Sequence, residues 1–320
     1  MRWRLLLLPL LLAAACGPSE PSATDGGTTD AGTDGGADAG SEDGGSDGGL
    51  DGGGTDGGSL VEDRPYGLTV PDAYDGSAAL PLVFLLHGFT ADAVTQDLYF
   101  GMSALARQRG FFVALPDGTF NATLQRFWNA TDACCGFGSD VDDVAYLEAV
   151  LDDIESQYLI DPKRVFFVGH SNGGFMSHRM ACERPGRVAA IASLAGAVWK
   201  DESLCDPAEP VSVLQIHGTL DAVILYGGGW NMGFEYPGAV ETVDTWATLN
   251  GCDATTTALT PDLDLVNDLL GAETTRIVHE GCPATGAAEL WRIEAGSHLP
   301  TFRSDWAGVI YDWLMAHPRP

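Results

Sequence analysis

Apolar and polar positions change period in a regular way along most of this chain. Almost wholly apolar runs, such as residues 81–86 and 165–168, are typical of strands buried on both faces of a parallel sheet. Residues 140–158 instead place their apolar side chains on one face of a helix. The same patterns predict strands at 111–115, 188–194, 211–216 and 289–293, and helices at 104–109, 175–183, 240–249 and a last one ending near Met315. Alternating strands and helices predict an α/β fold: a mostly parallel, doubly wound sheet with helices on both faces and ligands at the strands' carboxyl ends.

The first fifteen residues do not follow this pattern. Two arginines precede an apolar run that is too short to span a membrane, which predicts a secretory signal peptide over residues 1–15. Small residues before Cys16 resemble a bacterial lipobox, although Ala13 stands where such boxes usually have leucine. We expect lipidation of Cys16, with plain secretion as the alternative. Membrane contact would then come only through this lipid anchor, on an extracellular or cell-surface protein of the bacterial lipoprotein type.

Residues 17–60 are mainly Gly, Asp, Thr, Ser and Ala in loose T-D-G-G repeats, with almost nothing to bury. This composition predicts a disordered tether. A calcium-binding repeat is the alternative, but the bulky apolar residue that such repeats stack is missing. The folded domain is therefore expected at residues 65–320.

The net charge of −29 is shared between the tether and this domain. Residues 17–60 carry ten acidic side chains and no basic ones, and residues 65–320 carry a net charge of −20. Phosphate binding needs clustered Lys and Arg, so this balance argues against nucleic acid or an anionic surface as a partner. We expect a monomer.

The sequence Gly169-His170-Ser171-Asn172-Gly173 follows a predicted strand and precedes a predicted helix. This is the context that a G-x-S-x-G nucleophile elbow requires. The sharp turn lifts the serine hydroxyl clear of the sheet, and the helix directs free N–H groups at an oxyanion formed there. The pattern predicts Ser171 as a nucleophile for acyl chemistry.

Two further polar residues follow predicted strands. Asp221 comes after residues 211–216 and His298 after residues 289–293, and the order Ser, Asp, His is that of α/β-hydrolase triads. His298 would be the general base and Asp221 would fix its tautomer, although an acid in such a place can also be only a helix cap. The oxyanion would accept from the backbone N–H of Asn172 and from a second N–H at Phe89 or Thr90.

His298 has six rivals for the role of base: His87, His170, His178, His217, His279 and His317. His87 and His170 precede tight glycine turns and His217 lies four residues before Asp221, so we expect these three to make structural hydrogen bonds. His178 lies on the predicted elbow helix and His279 in a predicted insertion, which leaves His298 in the right place near the C-terminus. Asp142 and Asp143 begin a predicted helix, where adjacent acids are more often caps than metal ligands. No His/Cys cluster has zinc spacing, so we expect neither a metal nor a cofactor.

Several motifs together resemble one known family. They are residues 169–174, 177–182, 217–221 with 226–228, 128–129 with 134–136, 142–144, and 246 with 250–252. They are similar to those of the secreted polyhydroxybutyrate depolymerase and feruloyl esterase family, the LpqC-like esterases, over nearly all of residues 65–320. The resemblance implies an α/β-hydrolase that acts on an ester, with Ser171, Asp221 and His298 as its triad. Around His298 the family usually has Gly-Gly-Gly-His-x-Trp-Pro, and this chain lacks the tryptophan.

Apart from Cys16, the chain contains six cysteines that are candidates for disulfides: Cys134, Cys135, Cys182, Cys205, Cys252 and Cys282. Fifteen pairings are possible for six cysteines. Cys252 and Cys282 flank an insertion that would otherwise be a long floppy excursion, so we pair them first. Cys134 or Cys135 is expected to tie the loop of Trp128 to the core near the elbow helix.

Aromatic residues on predicted loops are candidates for the wall of an acyl pocket, with burial in the core as the alternative. They are Trp128, Tyr226 and Trp230, together with Phe127 and Phe234. The expected function is a serine carboxylesterase for feruloyl or aryl esters, or for hydroxyalkanoate polyesters and oligomers; the substrate would be polymeric or derived from plant cell walls. A non-catalytic surface binding protein, a lipase and a peptidase are the alternatives.

Overall fold

A computed structural model describes residues 57–136 and 138–320 of the chain. The predicted signal peptide at 1–15, the lipidation candidate Cys16 and the predicted tether as far as residue 56 lie outside the described residues. Within the described part, no helix is long and apolar enough to cross a membrane.

The strands of the described residues, in chain order, are β1 Gly67–Thr69, β2 Leu80–Leu86, β3 Phe112–Leu115, β4 Thr119–Phe120, β5 Arg126–Phe127, β6 Ile160–His170, β7 Ala190–Leu194, β8 Ser212–Gly218, β9 Gly228–Asn231, β10 Phe234–Pro237, β11 Thr256–Leu263, β12 Thr274–His279 and β13 Ala288–Ile293. Nine of them form one sheet in the order β1-β3-β2-β6-β7-β8-β13-β12-β11. From β3 to β13 in this order the neighbours are parallel, and β1, β12 and β11 are antiparallel to theirs. The pairs β4/β5 and β9/β10 form separate hairpins.

The helices of the described residues are α1 Gly57–Asp63, α2 Ala93–Phe100, α3 Met102–Arg109, α4 Asp143–Gln157, α5 Asn172–Glu183, α6 Ala239–Asn250 and α7 Trp306–Met315, with a short 3₁₀ turn at Glu202–Leu204. They pack on both faces of the sheet. Alternate residues of β2 show this division, because Leu82 and Phe84 join the apolar cluster of α4, α5 and α6 while Val83 and Leu85 join that of α3 and α7. The predicted α/β architecture is therefore confirmed.

Two segments differ from the prediction. Helix α1 includes residues 57–60, which were expected to belong to the tether, and Leu60 and Val61 pack against the apolar core. The insertion between Cys252 and Cys282, for which no strand was predicted, contains β11 and β12, which extend the sheet as antiparallel strands. Both segments gain their structure from apolar contacts and main-chain pairing with distant parts of the chain, which local sequence patterns do not reveal.

The cysteine pairing was predicted in part. Cys252 is bonded to Cys282, as expected, and Cys182 to Cys205. Cys134 is bonded to its neighbour Cys135, so the expectation that one of these two ties the loop to another element was wrong. The link that was expected from a disulfide is instead made by hydrogen bonds of Asn172, described below.

Candidate active site

Ser171 stands at the turn between β6 and α5. Its backbone is in a strained conformation with φ 53° and ψ −121°, and the residue is buried, with 8% of its surface exposed. The turn needs glycine on both sides because main chain approaches closely: a Cβ on Gly169 would lie 2.1 Å from Gly173 O, and one on Gly173 would lie 2.3 Å from Leu86 O. The sequence therefore folds into the predicted elbow.

Asp221 and His298 meet at the same edge of the sheet, on the loops after β8 and β13. His298 Nδ1 lies 2.7 Å from Asp221 Oδ2. The other carboxylate oxygen of Asp221 accepts from the backbone N–H groups of Val223 and Ile224, at 2.8 and 2.9 Å. The two loops are joined where Leu220 N–H donates to the main chain of the β13 loop. The sequence order had predicted this meeting.

The pKa of Asp221 is set by opposing effects. Burial alone would raise it, but hydrogen bonds from His217 and His298 outweigh burial and hold the pKa well below its usual value. The carboxylate is fully buried and has a donor on each oxygen. It is therefore ionised at neutral pH and is able to orient and stabilise a protonated imidazole at His298.

His170 connects the loop that bears His298 to the predicted nucleophile. Its Nε2 lies 3.0 Å from the main-chain oxygen of His298, and the two rings are 4.8 Å apart. Burial lowers the pKa of His170 to about 3, so this ring is neutral and donates from Nε2. Because His170 directly precedes Ser171, this contact brings the His298 loop up to the elbow.

The predicted oxyanion donors have different outcomes. Asn172 is the first residue of α5, where the helix provides no carbonyl partner for an N–H. The N–H of Thr90 donates to Arg126 O at 2.8 Å, so the prediction of Thr90 as a donor was wrong. That bond couples the β2 loop to the β4/β5 hairpin. The N–H of Phe89 stays the predicted second donor.

Trp128 does not wall an open pocket, which corrects its predicted role. Its side chain is fully buried and Nε1 donates to His87 O at 3.1 Å. Its main chain is fixed by the side chain of Asn172, which accepts from Trp128 N at 2.7 Å and donates to Trp128 O at 2.9 Å. The Asn172 side chain thus makes the pair of hydrogen bonds that a neighbouring strand would make. The loop of Trp128 is therefore part of the scaffold of the site.

The neighbouring Asp143 has a role that sequence reasoning missed. It is not a cap; Asp142 is, accepting from Ala145 N at 2.9 Å. Asp143 is fully buried, with Arg64 Nη1 at 2.7 Å from one oxygen and the N–H of Asn129 at 2.7 Å from the other. Burial raises the pKa of Asp143, and the Arg64 guanidinium opposes that rise. Arg64 is 79 residues away in the chain, so no local spacing signals the pair.

The other predicted pocket residues lie nearer the surface. Tyr226 is partly buried and stands edge-on to the His217 ring at 5.8 Å. Trp230 is 73% exposed and Phe234 49% exposed, both on the β9/β10 hairpin. The hairpin is fastened to the Cys134 loop by Asn231 Nδ2, which donates to Ala133 O at 2.8 Å. Phe127, in contrast, is buried.

Metal binding finds no support in the part of the chain that the structure describes. Within residues 57–136 and 138–320, no group of three or more His, Cys, Asp or Glu side chains could hold a metal ion. The reactive groups that the described side chains bring to this edge are the hydroxyl of Ser171, the imidazole of His298 and the carboxylate of Asp221.

Comparisons with known proteins agree with this fold. A family model described as alpha/beta hydrolase fold matches residues 81–219. Feruloyl esterase B of Piromyces equi is 30% identical over 190 residues, which cover 57% of this chain and 34% of that protein. Feruloyl esterase C of Emericella nidulans is 31% identical over 202 residues, covering 61% of this chain and 65% of that protein. The chain thus spans between about a third and two thirds of the length of these curated relatives.

Among solved structures, an acetyl xylan esterase from Aspergillus awamori superposes with a TM-score of 0.57 at 17% identity, covering 78% of this chain and 93% of that one. At that identity the likeness concerns the fold. The matched family model and this superposition agree that the chain has the α/β-hydrolase fold.

Proposed function

We propose that this chain is a serine carboxylesterase. The observation that carries the proposal is the 2.7 Å contact between His298 Nδ1 and Asp221 Oδ2, at the sheet edge where the strained Ser171 elbow also lies. Support comes also from the feruloyl esterases among the relatives, although this chain covers only part of their length. A non-catalytic binding protein would have no need to retain a buried, ionised carboxylate against a histidine.

In this mechanism Ser171 Oγ attacks the ester carbonyl carbon while His298 takes its proton at Nε2. The charged imidazolium is stabilised by Asp221, and the oxyanion by the N–H groups of Asn172 and Phe89. His298 then gives the proton to the leaving alkoxide, so that the alcohol departs and an acyl-enzyme remains. Water, deprotonated by His298, hydrolyses that intermediate and regenerates Ser171.

For the substrate we propose aryl or feruloyl esters before hydroxyalkanoate polyesters. The relatives are named as feruloyl esterases, and the exposed aromatic rings of Trp230 and Phe234 suit an aromatic acyl group or a polymer that carries one. Plant cell wall material would supply such esters. Tyr226 is partly buried and stands edge-on to the His217 ring, and we assign it to the inner part of the acyl pocket.

The test is hydrolysis of p-nitrophenyl acetate, p-nitrophenyl butyrate and methyl ferulate by the full chain beside Ser171→Ala and Asp221→Asn. We expect turnover to fall by about 10⁶ for Ser171→Ala and by about 10⁴ for Asp221→Asn. A folded wild-type protein that cleaves none of the three esters would contradict the proposal. Cleavage of long-chain esters alone would favour a lipase, and cleavage of amides alone a peptidase.

We further propose that the protein works outside the cytoplasm. The three disulfides of the described residues are typical of proteins in oxidising compartments. Attachment through lipidated Cys16 is tested by Cys16→Ser, which should move the protein from the membrane fraction to the medium. Equal release of wild type and variant would leave plain secretion.

A further inference from the structure

His217 is a second histidine beside the carboxylate of Asp221, and the proposed mechanism gives it no task. It is buried, and its Nε2 lies 3.4 Å from Asp221 Oδ2 and 2.8 Å from the main-chain oxygen of Ile224. Both acceptors can be reached by one N–H only if the ring carries its proton on Nε2. The opposite tautomer would turn a lone pair toward the carboxylate and the carbonyl.

The other side of the His217 ring meets a chain of buried polar side chains. Trp246 Nε1 donates to His178 Nδ1 at 2.9 Å, and His178 Nε2 lies 3.0 Å from Gln215 Oε1. Gln215 Nε2 donates to Gly196 O at 2.8 Å and lies 3.3 Å from His217 Nδ1. Each of the four side chains is almost inaccessible to solvent. No water is needed to complete this set of bonds.

The indole of Trp246 determines where each hydrogen lies in this series of hydrogen bonds. An indole N–H can only donate, so His178 Nδ1 must accept and His178 Nε2 must carry the hydrogen. The Gln215 oxygen accepts that hydrogen, which leaves its NH₂ group to donate to Gly196 O and to His217 Nδ1. The hydrogen of His217 is therefore on Nε2, facing Asp221. Burial lowers the pKa of His178 to about 4, so that its ring is neutral as the chain requires.

We infer that His217 is a positioning residue for Asp221, held in the Nε2–H tautomer by the side chains of Trp246, His178 and Gln215. This inference rests on the proposed function, in which Asp221 orients the catalytic base. Asp221 Oδ2 lies 2.7 Å from His298 Nδ1 and 3.4 Å from His217 Nε2, and Oδ1 accepts from the N–H groups of Val223 and Ile224. These contacts hold the carboxylate in one orientation and stabilise its negative charge.

The spectroscopic test reads the tautomers directly and does not depend on activity. Imidazole ¹⁵N spectra of the full chain should show Nε2 protonated and Nδ1 bare for both His178 and His217. The signals are assigned by their loss in His178→Gln and His217→Gln. A His217 that carries its proton on Nδ1, or on both nitrogens, would overturn the inference even if the enzyme proved fully active.

Trp246→Phe tests whether the indole sets the tautomers in this series of hydrogen bonds. Without the indole donor we expect His178 to lose its single tautomer in the ¹⁵N spectra. Trp306→Phe is the matched control, since Trp306 is equally buried and its Nε1 has no hydrogen-bond partner among the described residues. Equal tautomer changes in the two variants would show a general response of the core to loss of an indole, and would refute the role of Trp246.

Kinetics test the positioning role itself. His217→Phe removes the donor and should lower kcat for p-nitrophenyl acetate by about 10- to 100-fold, the range of a hydrogen bond to a charged group, with KM almost unchanged. His217→Gln can place an amide N–H near the same point and should retain most of kcat. If Phe and Gln variants that melt like wild type lose equal activity, or if His217→Phe loses none, His217 does not position Asp221. A wild type without esterase activity would defeat the proposed function and, with it, the positioning role, while the tautomer spectra would still test the chain.

Discussion

Asn172 illustrates how much one side chain can decide at this site. Its main-chain N–H is the proposed oxyanion donor, and its side chain bonds both main-chain groups of Trp128. The sequence predicted the first role from the elbow pattern alone. The second depends on a segment that lies 44 residues earlier and reaches α5 only in the folded protein.

At the residue scale, we make a prediction about the ion pair of Arg64 and Asp143. Arg64→Met would leave a fully buried carboxylate without its cation, so we expect the free energy of unfolding to fall by about 3 to 5 kcal/mol. Chemical denaturation measures this loss. Arg303→Met is the control, because its pair with Asp264 is exposed and should change stability by less than about 1 kcal/mol. A loss at Arg64 no larger than at Arg303 would contradict the reading of Asp143 as a paired buried charge.

At the scale of elements, the sheet owes its catalytic edge to the order in which strands enter it. Loops after β6, β8 and β13 all leave at the same edge because these strands are parallel. Ser171, Asp221 and His298 therefore meet although they are far apart in sequence. The antiparallel strands β11 and β12 add no loop to this edge that bears a predicted catalytic residue, and their role is to extend the sheet.

The disulfide of Cys252 and Cys282 closes the segment that contains β11 and β12. It spans 30 residues of chain, so its removal should cost about 3 to 4 kcal/mol by the loss of constraint on the unfolded state. We expect the double variant Cys252→Ser, Cys282→Ser to lower the thermal midpoint. Removing Cys182–Cys205, with a separation of 23 residues, should cost nearly the same. An unchanged midpoint in the Cys252 variant would show that the strands hold this segment without the bond.

The whole molecule should lose stability in mild acid. Burial lowers the pKa of His87 and His178 from 6.5 to about 4 and that of His170 to about 3. Below pH 6.5 the unfolded chain therefore binds protons that the folded protein does not bind. The contribution of these histidines to the free energy of unfolding is complete above pH 6.5 and is lost as pH falls toward 4.

Urea unfolding at pH 7, 6 and 5 measures this dependence. Each buried histidine adds up to about 1.4 kcal/mol per pH unit to the slope. The variant His178→Gln should have a slope smaller by about one proton, since it lacks one of the three groups. A stability that stays flat between pH 7 and 5 would contradict this prediction, since it would mean that the folded and unfolded states bind protons equally over this range.

Much of this fold and of the candidate site was predictable because the signals are local. Apolar runs define the central strands, glycines define the elbow, and the order of Ser171, Asp221 and His298 reflects strand order. Predictions failed where the outcome depended on partners distant in sequence. Trp128 is buried in the core instead of lining a pocket, and the Thr90 N–H donates to Arg126 O. The bond between Cys134 and Cys135 is a different case, because these two residues are adjacent in the sequence.

By itself, then, the sequence determined the alternation of strands and helices, the elbow at Ser171 and the chemical types of its proposed partners, since period and turn chemistry are properties of neighbouring residues. The tertiary structure alone decided the pairing of Arg64 with Asp143, the clamp of Asn172 on Trp128 and the proton order from Trp246 to His217. Such contacts depend on distance and hydrogen-bond direction between segments far apart in the chain, and these are set only when the elements pack.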